Sequence, residues 1–244
     1  MNIRDLGNRI RERRSARRLR QADLAGALGV SIQAVSKWER GENAPDIGLL
    51  VELSRLLGVS IEWILGGASA ETDTFPAAIF CTSLNGYAER AASLTPGELS
   101  AWMNGIYYTT TEALLEVEGI PVKYVGDGLL GFVVGANPCG RAWKAAVNAK
   151  NRLSMPDIIT VIHYGEIFLG SIGHPDYRSL DILGETVNTA FLIMPWVAQN
   201  VHSGIGITST AKENMSDSED MVSSGDVFIP GKQLSVNIFE RKHK

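Results

Sequence analysis

Chemistry-bearing side chains concentrate in two short stretches in the second half of this 244-residue chain, VKYVGDG (122–128) and DILGETVN (181–188). In the first, a tight turn flanked by Gly126 and Gly128 exposes the Asp127 carboxylate, which can hold a cation or satisfy turn amides. Lys123 only donates hydrogen bonds and Asp181, ionised, only accepts them. The two suit a ligand edge carrying both kinds of group, or each other as an ordinary ion pair. Asn188 adds an amide that can do both. No Gly-rich phosphate loop of the Walker type is present, and His163, His174, His202 and His243 have no metal-ligand spacing with the cysteines. No cofactor is expected. Cys81 and Cys139 are expected to be free thiols, Cys81 as apolar filler in a strand and Cys139 in a loop after Pro138.

A third stretch lies near the N-terminus: QADLAGALGVSIQAVSKWERGENAP (21–45). A glutamine on an exposed helix face can pair with adenine through both amide atoms, and a lysine can reach guanine. Charge favours the same end of the chain. Residues 1–40 carry ten Lys/Arg against four Asp/Glu, a balance of +6. The remainder carries 13 against 23, a balance of −10. A basic head suits a polyanionic partner and an acidic body does not.

The elements that must position these residues change character along the chain. From Ile3 to Leu65 the pattern is helical, broken at Gly29, Gly41 and Gly58. Ile3, Leu6, Ile10 and Leu19 mark the apolar side of an Arg-rich first helix, and Leu24, Ala25 and Leu28 that of a second. Ser31, Asp46 and Ser60 are expected to cap three more, with Leu49, Leu50, Leu53 and Leu57 facing inward on the fourth. Residues 67–76 read as a linker.

Beyond it, strands are expected at 77–81, 122–125, 129–134, 158–163, 166–172, 180–183, 204–208 and 234–240. Helices are expected at roughly 96–118, 139–152 and 185–199, and an exposed loop at 216–226. The fold class expected is therefore two domains: an all-α five-helix domain (1–66) and an α+β domain with one sheet (77–244). No apolar run is long enough to cross a membrane and no secretory signal is visible, so a cytoplasmic chain is expected.

LAxxLGVS followed by QAVSKWERGENAP resembles the Cro-like, or phage-repressor, helix-turn-helix family over residues 3–66. The resemblance implies that Gln33, Ser36 and Lys37 face base edges with Ile32 close by, and that Gln21, Ser31 and Asn43 touch phosphates. Arg14, Arg17 and Arg40 would add charge there. It also implies a dimer on a palindromic double-stranded DNA operator.

Residues 77–240 resemble the catalytic domain of class III adenylyl and guanylyl cyclases, whose βαββαβ core dimerises head to tail with sites formed between chains. The resemblance implies that Asp127 matches the second metal-binding Asp. It makes Lys123 and Asp181 the adenine-reading pair and Asn188 the ribose-orienting residue. Two family positions are not kept. Ser83, or Thr82 if the register shifts, stands where the first metal Asp belongs, and Leu192 stands where the transition-state Arg belongs.

The expectation is a homodimeric transcription regulator with an inactive cyclase-like domain that binds an adenine nucleotide, cyclic AMP ahead of ATP. Two rivals stay open here: a residual adenylyl cyclase, and a plain repressor that uses the domain only to dimerise.

Overall fold

The computed structural model describes residues 3–66, 74–153, 158–174, 177–229 and 234–241. The chain forms two compact units that divide after Phe75, the first also taking in 134–136 and 168–182.

The helical part of the first unit holds α1 (Ile3–Ala16), α2 (Gln21–Leu28), α3 (Ile32–Arg40), α4 (Ile47–Leu57) and α5 (Ile61–Leu65). The expected caps are in place. Ser31, Asp46 and Ser60 accept from the amides of Ala34, Gly48 and Trp63, each cap contributing about 1 kcal/mol. Leu6, Ile10, Leu24, Val35, Trp38, Leu50, Leu53 and Leu57 are buried together with Ile61 and Ile64. Leu49 is only half-buried, because the inward stripe of α4 runs through Leu50, Leu53 and Leu57. Leu19 lies beyond the end of α1, after the left-handed Arg18 (φ 58°). Gly29 ends α2 at φ 66°, a left-handed conformation costly for other residues, and turns the chain into α3.

The remaining elements are β1 (Thr74–Leu84), α6 (Tyr87–Ser93), α7 (Pro96–Leu115), β2 (Ile120–Val125), β3 (Gly128–Val133), α8 (Pro138–Leu153), β4 (Ile158–His174), β5 (Tyr177–Leu183), α9 (Glu185–Asn200), β6 (Ile205–Thr208), α10 (Ser209–Glu213), β7 (Met221–Ile229) and β8 (Leu234–Arg241). The strand order is β2-β3-β1-β4-β6-β8-β7, with β5 paired to β4. This is a βαββαβ core extended by further strands, as expected. Phe80 and Val133 of the sheet pack with Trp143 and Ala146 of α8, Ile162 of β4 and Ile207 of β6. Leu84, Met103, Ile106 and Ala149 form a second cluster.

Several expectations are corrected. β1 begins at Thr74, so the last three residues assigned to the linker are strand; 67–73 lie outside the described residues. The two strands expected at 158–163 and 166–172 are one continuous β4. Gly165 makes no turn there. A Cβ on it would come within 2.6 Å of the Thr186 hydroxyl, which donates to the Glu166 carbonyl at 2.6 Å, so this glycine marks a close approach by α9.

Residues 221–226, expected in a loop, belong to β7, which pairs antiparallel with β8 while its polar residues lie at the sheet edge. α6 and α10 were not expected, and α7 stops three residues early. Cys139 sits in the first turn of α8 after Pro138 at the helix start, not in a loop. Burial pushes both the Cys81 and Cys139 thiols up to about 12, which suits inert packing.

Candidate nucleic-acid interface and nucleotide site

The outward face of α3 carries Ile32, Gln33, Lys37 and Arg40, all exposed, while Val35, Trp38 and Glu39 face inward. Gln33, Lys37 and Arg40 follow helical spacing and share one face. Gln33 and Lys37 are thus presented as the sequence suggests. The other candidates are already engaged. Ser31 spends its hydroxyl on capping α3. Ser36 is half-buried and bonded to Arg40, whose guanidinium also grips Glu42 at 2.6 and 2.9 Å. Asn43 is exposed and accepts from the Ala44 amide at 2.9 Å.

Arg14 corrects the sequence reading most clearly. It is not available to a phosphate. Its guanidinium binds Glu39 twice (2.5 and 3.0 Å) and the Leu19 carbonyl at 2.6 Å. Gln21 donates to the same Glu39 carboxylate at 2.8 Å. Hydrogen bonding to Glu39 raises the Arg14 pKa above its ordinary value, against the opposing effect of burial. Arg17 reaches back to the Leu56 carbonyl at 3.1 Å, at the end of α4. Glu39 was absent from the sequence reading. Its one signal is an acidic residue on the apolar face of a helix, which needs a buried partner.

In the second unit the β2–β3 turn presents Asp127 against the end of β1. Gly128 makes this possible, since a Cβ there would collide with the Thr82 carbonyl. Asp127 Oδ2 accepts from the Ser83 hydroxyl at 2.9 Å and from the Leu84 amide at 2.6 Å. Thr82 is buried and accepts from the Leu129 amide at 2.8 Å. The register left open by the sequence is thereby decided: Ser83, not Thr82, faces Asp127.

The donor set here is one carboxylate already holding a hydroxyl and an amide, plus a neutral oxygen. It does not fit a pair of hard divalent cations, which want several anionic oxygens. Among the described residues no cluster of three or more His, Cys, Asp or Glu could hold a metal ion. Tyr107, also missed, braces the turn by donating to the Gly126 carbonyl at 2.6 Å and stacking on Tyr124 with centroids 4.1 Å apart.

Lys123 lies exposed on β2 opposite Leu130. Asn188 is exposed in the first turn of α9, one helical turn before the exposed Leu192. Lys123, Asp127 and Asn188 belong to the second unit. Asp181 belongs to the first, half-buried on β5, and accepts from the Ile182 amide at 2.9 Å.

A helix-turn-helix family model (HTH_3) matches residues 10–64. Repressor protein C2 of Salmonella phage P22 is 41% identical over 73 residues, 30% of this chain and 34% of that protein. The HTH-type transcriptional regulator DicA of Escherichia coli is 37% identical over 94 residues, 38% of this chain and 62% of that protein. The chain thus spans from about a third to three fifths of these curated relatives. The crystal structure of the adenylyl cyclase CyaB from P. aeruginosa superposes with a TM-score of 0.61 at 18% identity, covering 70% of this chain and 96% of that one. The chain therefore joins an N-terminal helix-turn-helix domain to a domain with the adenylyl cyclase fold. No helix among the described residues is long and apolar enough to cross a membrane.

Proposed function

We propose that this chain is a DNA-binding transcription regulator whose cyclase-like domain does not catalyse cyclisation but binds an adenine nucleotide, cyclic AMP in preference to ATP. The observation that carries this reading is the hydrogen bond from Ser83 to Asp127 at 2.9 Å, where a catalytic cyclase needs two carboxylates sharing metal ions. Leu192, 40% exposed, adds an apolar side chain where charge on a transferring phosphoryl group would need a cation. ATP is a polyanion that depends on metal ions, whereas cyclic AMP carries a single negative charge. Lys123 and Asp181 offer a donor and an acceptor that suit the acceptor nitrogens and the amino group of adenine.

The dimer places two α3 helices on half-sites about 34 Å apart. Ligand that favours one dimer geometry changes DNA affinity, and DNA changes ligand affinity by the same factor.

Titration calorimetry of the full chain with cyclic AMP, and with Mg²⁺·ATP for comparison, tests the ligand. Lys123→Ala and Asp181→Ala are each expected to abolish the response of DNA binding to cyclic AMP while sparing basal DNA affinity. A normal response in both variants refutes the pocket assignment. Heat from neither nucleotide leaves a repressor that uses the domain only to dimerise.

For the DNA side, Lys37→Ala is expected to cost about 1–3 kcal/mol of discrimination at a single operator position. A gel-shift series over operator variants measures it. A uniform loss across all sequences would instead make Lys37 a phosphate contact.

A further inference from the structure

A cavity of about 610 Å³ opens at the end of β1, where Leu84 lines it, within the size range of small-molecule sites. Leu84 and Asn85, Glu89, Arg90 and Ser93 of α6, and Trp102 of α7 line it. Leu84 ties the cavity to the turn, since its amide is the donor to Asp127.

Arg90 is the unusual member of this lining. Elsewhere in the unit Arg141 pairs with Glu118 and Arg152 with Glu116. Among the described residues Arg90 has no ion pair. Its guanidinium carbon lies 5.7 Å from the Trp102 ring centroid, over the ring face. Trp102 is itself stacked on Tyr87 with centroids 6.5 Å apart. The guanidinium therefore lies over an aromatic ring with no carboxylate bridged to it among the described residues. A guanidinium arranged in this way is matched to an oxyanion that accepts two hydrogen bonds, above all a phosphate. Asn85 adds a neutral amide to the lining, while the Ser93 hydroxyl donates to the Arg90 carbonyl at 2.8 Å. Glu89 at the cavity and Asp127 beyond Leu84 set a limit on charge: one cation against nearby carboxylates favours a monoanion over a metal-free triphosphate.

We propose that Arg90 is the phosphate-binding residue of the nucleotide site, its guanidinium on Trp102 receiving the phosphate of cyclic AMP. This rests on the nucleotide reading above.

The test is calorimetry of the full chain with cyclic AMP, adenosine and inorganic phosphate, on the wild type, Arg90→Ala and Arg90→Lys. Arg90→Ala is expected to weaken cyclic AMP about tenfold or more, to leave adenosine within about twofold, and to flatten the salt dependence of cyclic AMP binding. Arg90→Lys is expected to recover part of the loss. Arg90 is exposed, so its truncation removes no buried side chain, and unchanged thermal unfolding checks that the variant folds. If Arg90→Ala leaves cyclic AMP unchanged, or weakens adenosine equally, the assignment of Arg90 is overturned while the nucleotide reading stands. If the wild type binds neither cyclic AMP nor adenosine yet takes up phosphate through Arg90, the anion site stands and the nucleotide reading falls. If the wild type binds none of the three, both fall.

Discussion

Glu39→Ala is expected to remove most of the stability of the N-terminal helical domain. The Glu39 side chain is 4% exposed and that of Arg14 only 14%, so both charges have left bulk water. Each satisfies the other's hydrogen-bonding groups, with Gln21 and the Leu19 carbonyl completing the network. Truncating Glu39 leaves a buried guanidinium and a glutamine amide without their acceptor. Breaking a buried pair in this one-sided way costs about 3–5 kcal/mol. A domain of this size has roughly 3–10 kcal/mol in total, at about 0.05–0.15 kcal/mol per residue.

Urea unfolding of the full chain, followed by circular dichroism, should show the helical transition moving to much lower denaturant, with operator binding lost alongside it. A change below about 1 kcal/mol would mean that the pair is effectively solvated. Replacing both partners, Arg14→Met with Glu39→Leu, is expected to recover most of the stability, because no buried charge is left alone.

Ser83→Asp is expected to make the cyclase-like domain depend on a divalent cation. The Ser83 oxygen lies 2.9 Å from an Asp127 oxygen, so a carboxylate at position 83 replaces a donated hydrogen bond with a like-charge contact. Without metal the variant should be less stable than the wild type. Two carboxylates in such proximity repel unless one is protonated or a cation lies between them. Mn²⁺ should then restore stability by mass action, by about 2.7 kcal/mol at a hundred times its dissociation constant.

Thermal unfolding with and without Mn²⁺ reads this directly. Equal stabilisation of the wild type would show that Ser83 and Asp127 already suffice for a metal. Adding Leu192→Arg to Ser83→Asp supplies the missing cation as well. Because an arginine in a comparable role contributes about 10³–10⁵ in rate in other phosphoryl-transfer enzymes, cyclic AMP formation from Mn²⁺·ATP is expected to rise in the double variant beyond either single one. Activity of that order in the wild type would overturn the reading of this domain as inactive.

What could be read from the sequence was local in origin. Ser31, Asp46 and Ser60 announce helix starts because a hydroxyl or carboxylate oxygen meets an amide only two or three residues further on. Gly29 announces a turn through its own backbone angle. The G-D-G turn places Asp127 through its immediate neighbours, and the outward face of α3 follows from helical spacing alone. The first domain, the βαββαβ order and the presentation of Gln33, Lys37 and Asp127 were therefore accessible without coordinates.

What tertiary structure alone decided depends on residues far apart in the chain. Arg14 and Gln21 are tied to Glu39, 25 and 18 positions away. The break expected between 163 and 166 is absent, and Gly165 there admits the close approach of Thr186. The polar run at 221–226 reads as a loop until β8 pairs with it. The choice between Thr82 and Ser83 belongs to the same kind. Neighbouring residues on a strand point to opposite faces, so a slip of one position exchanges a buried hydroxyl for one facing Asp127, 44 residues away. Composition at either position is nearly the same, and only the pairing of β1 with β3 determines which oxygen meets the carboxylate.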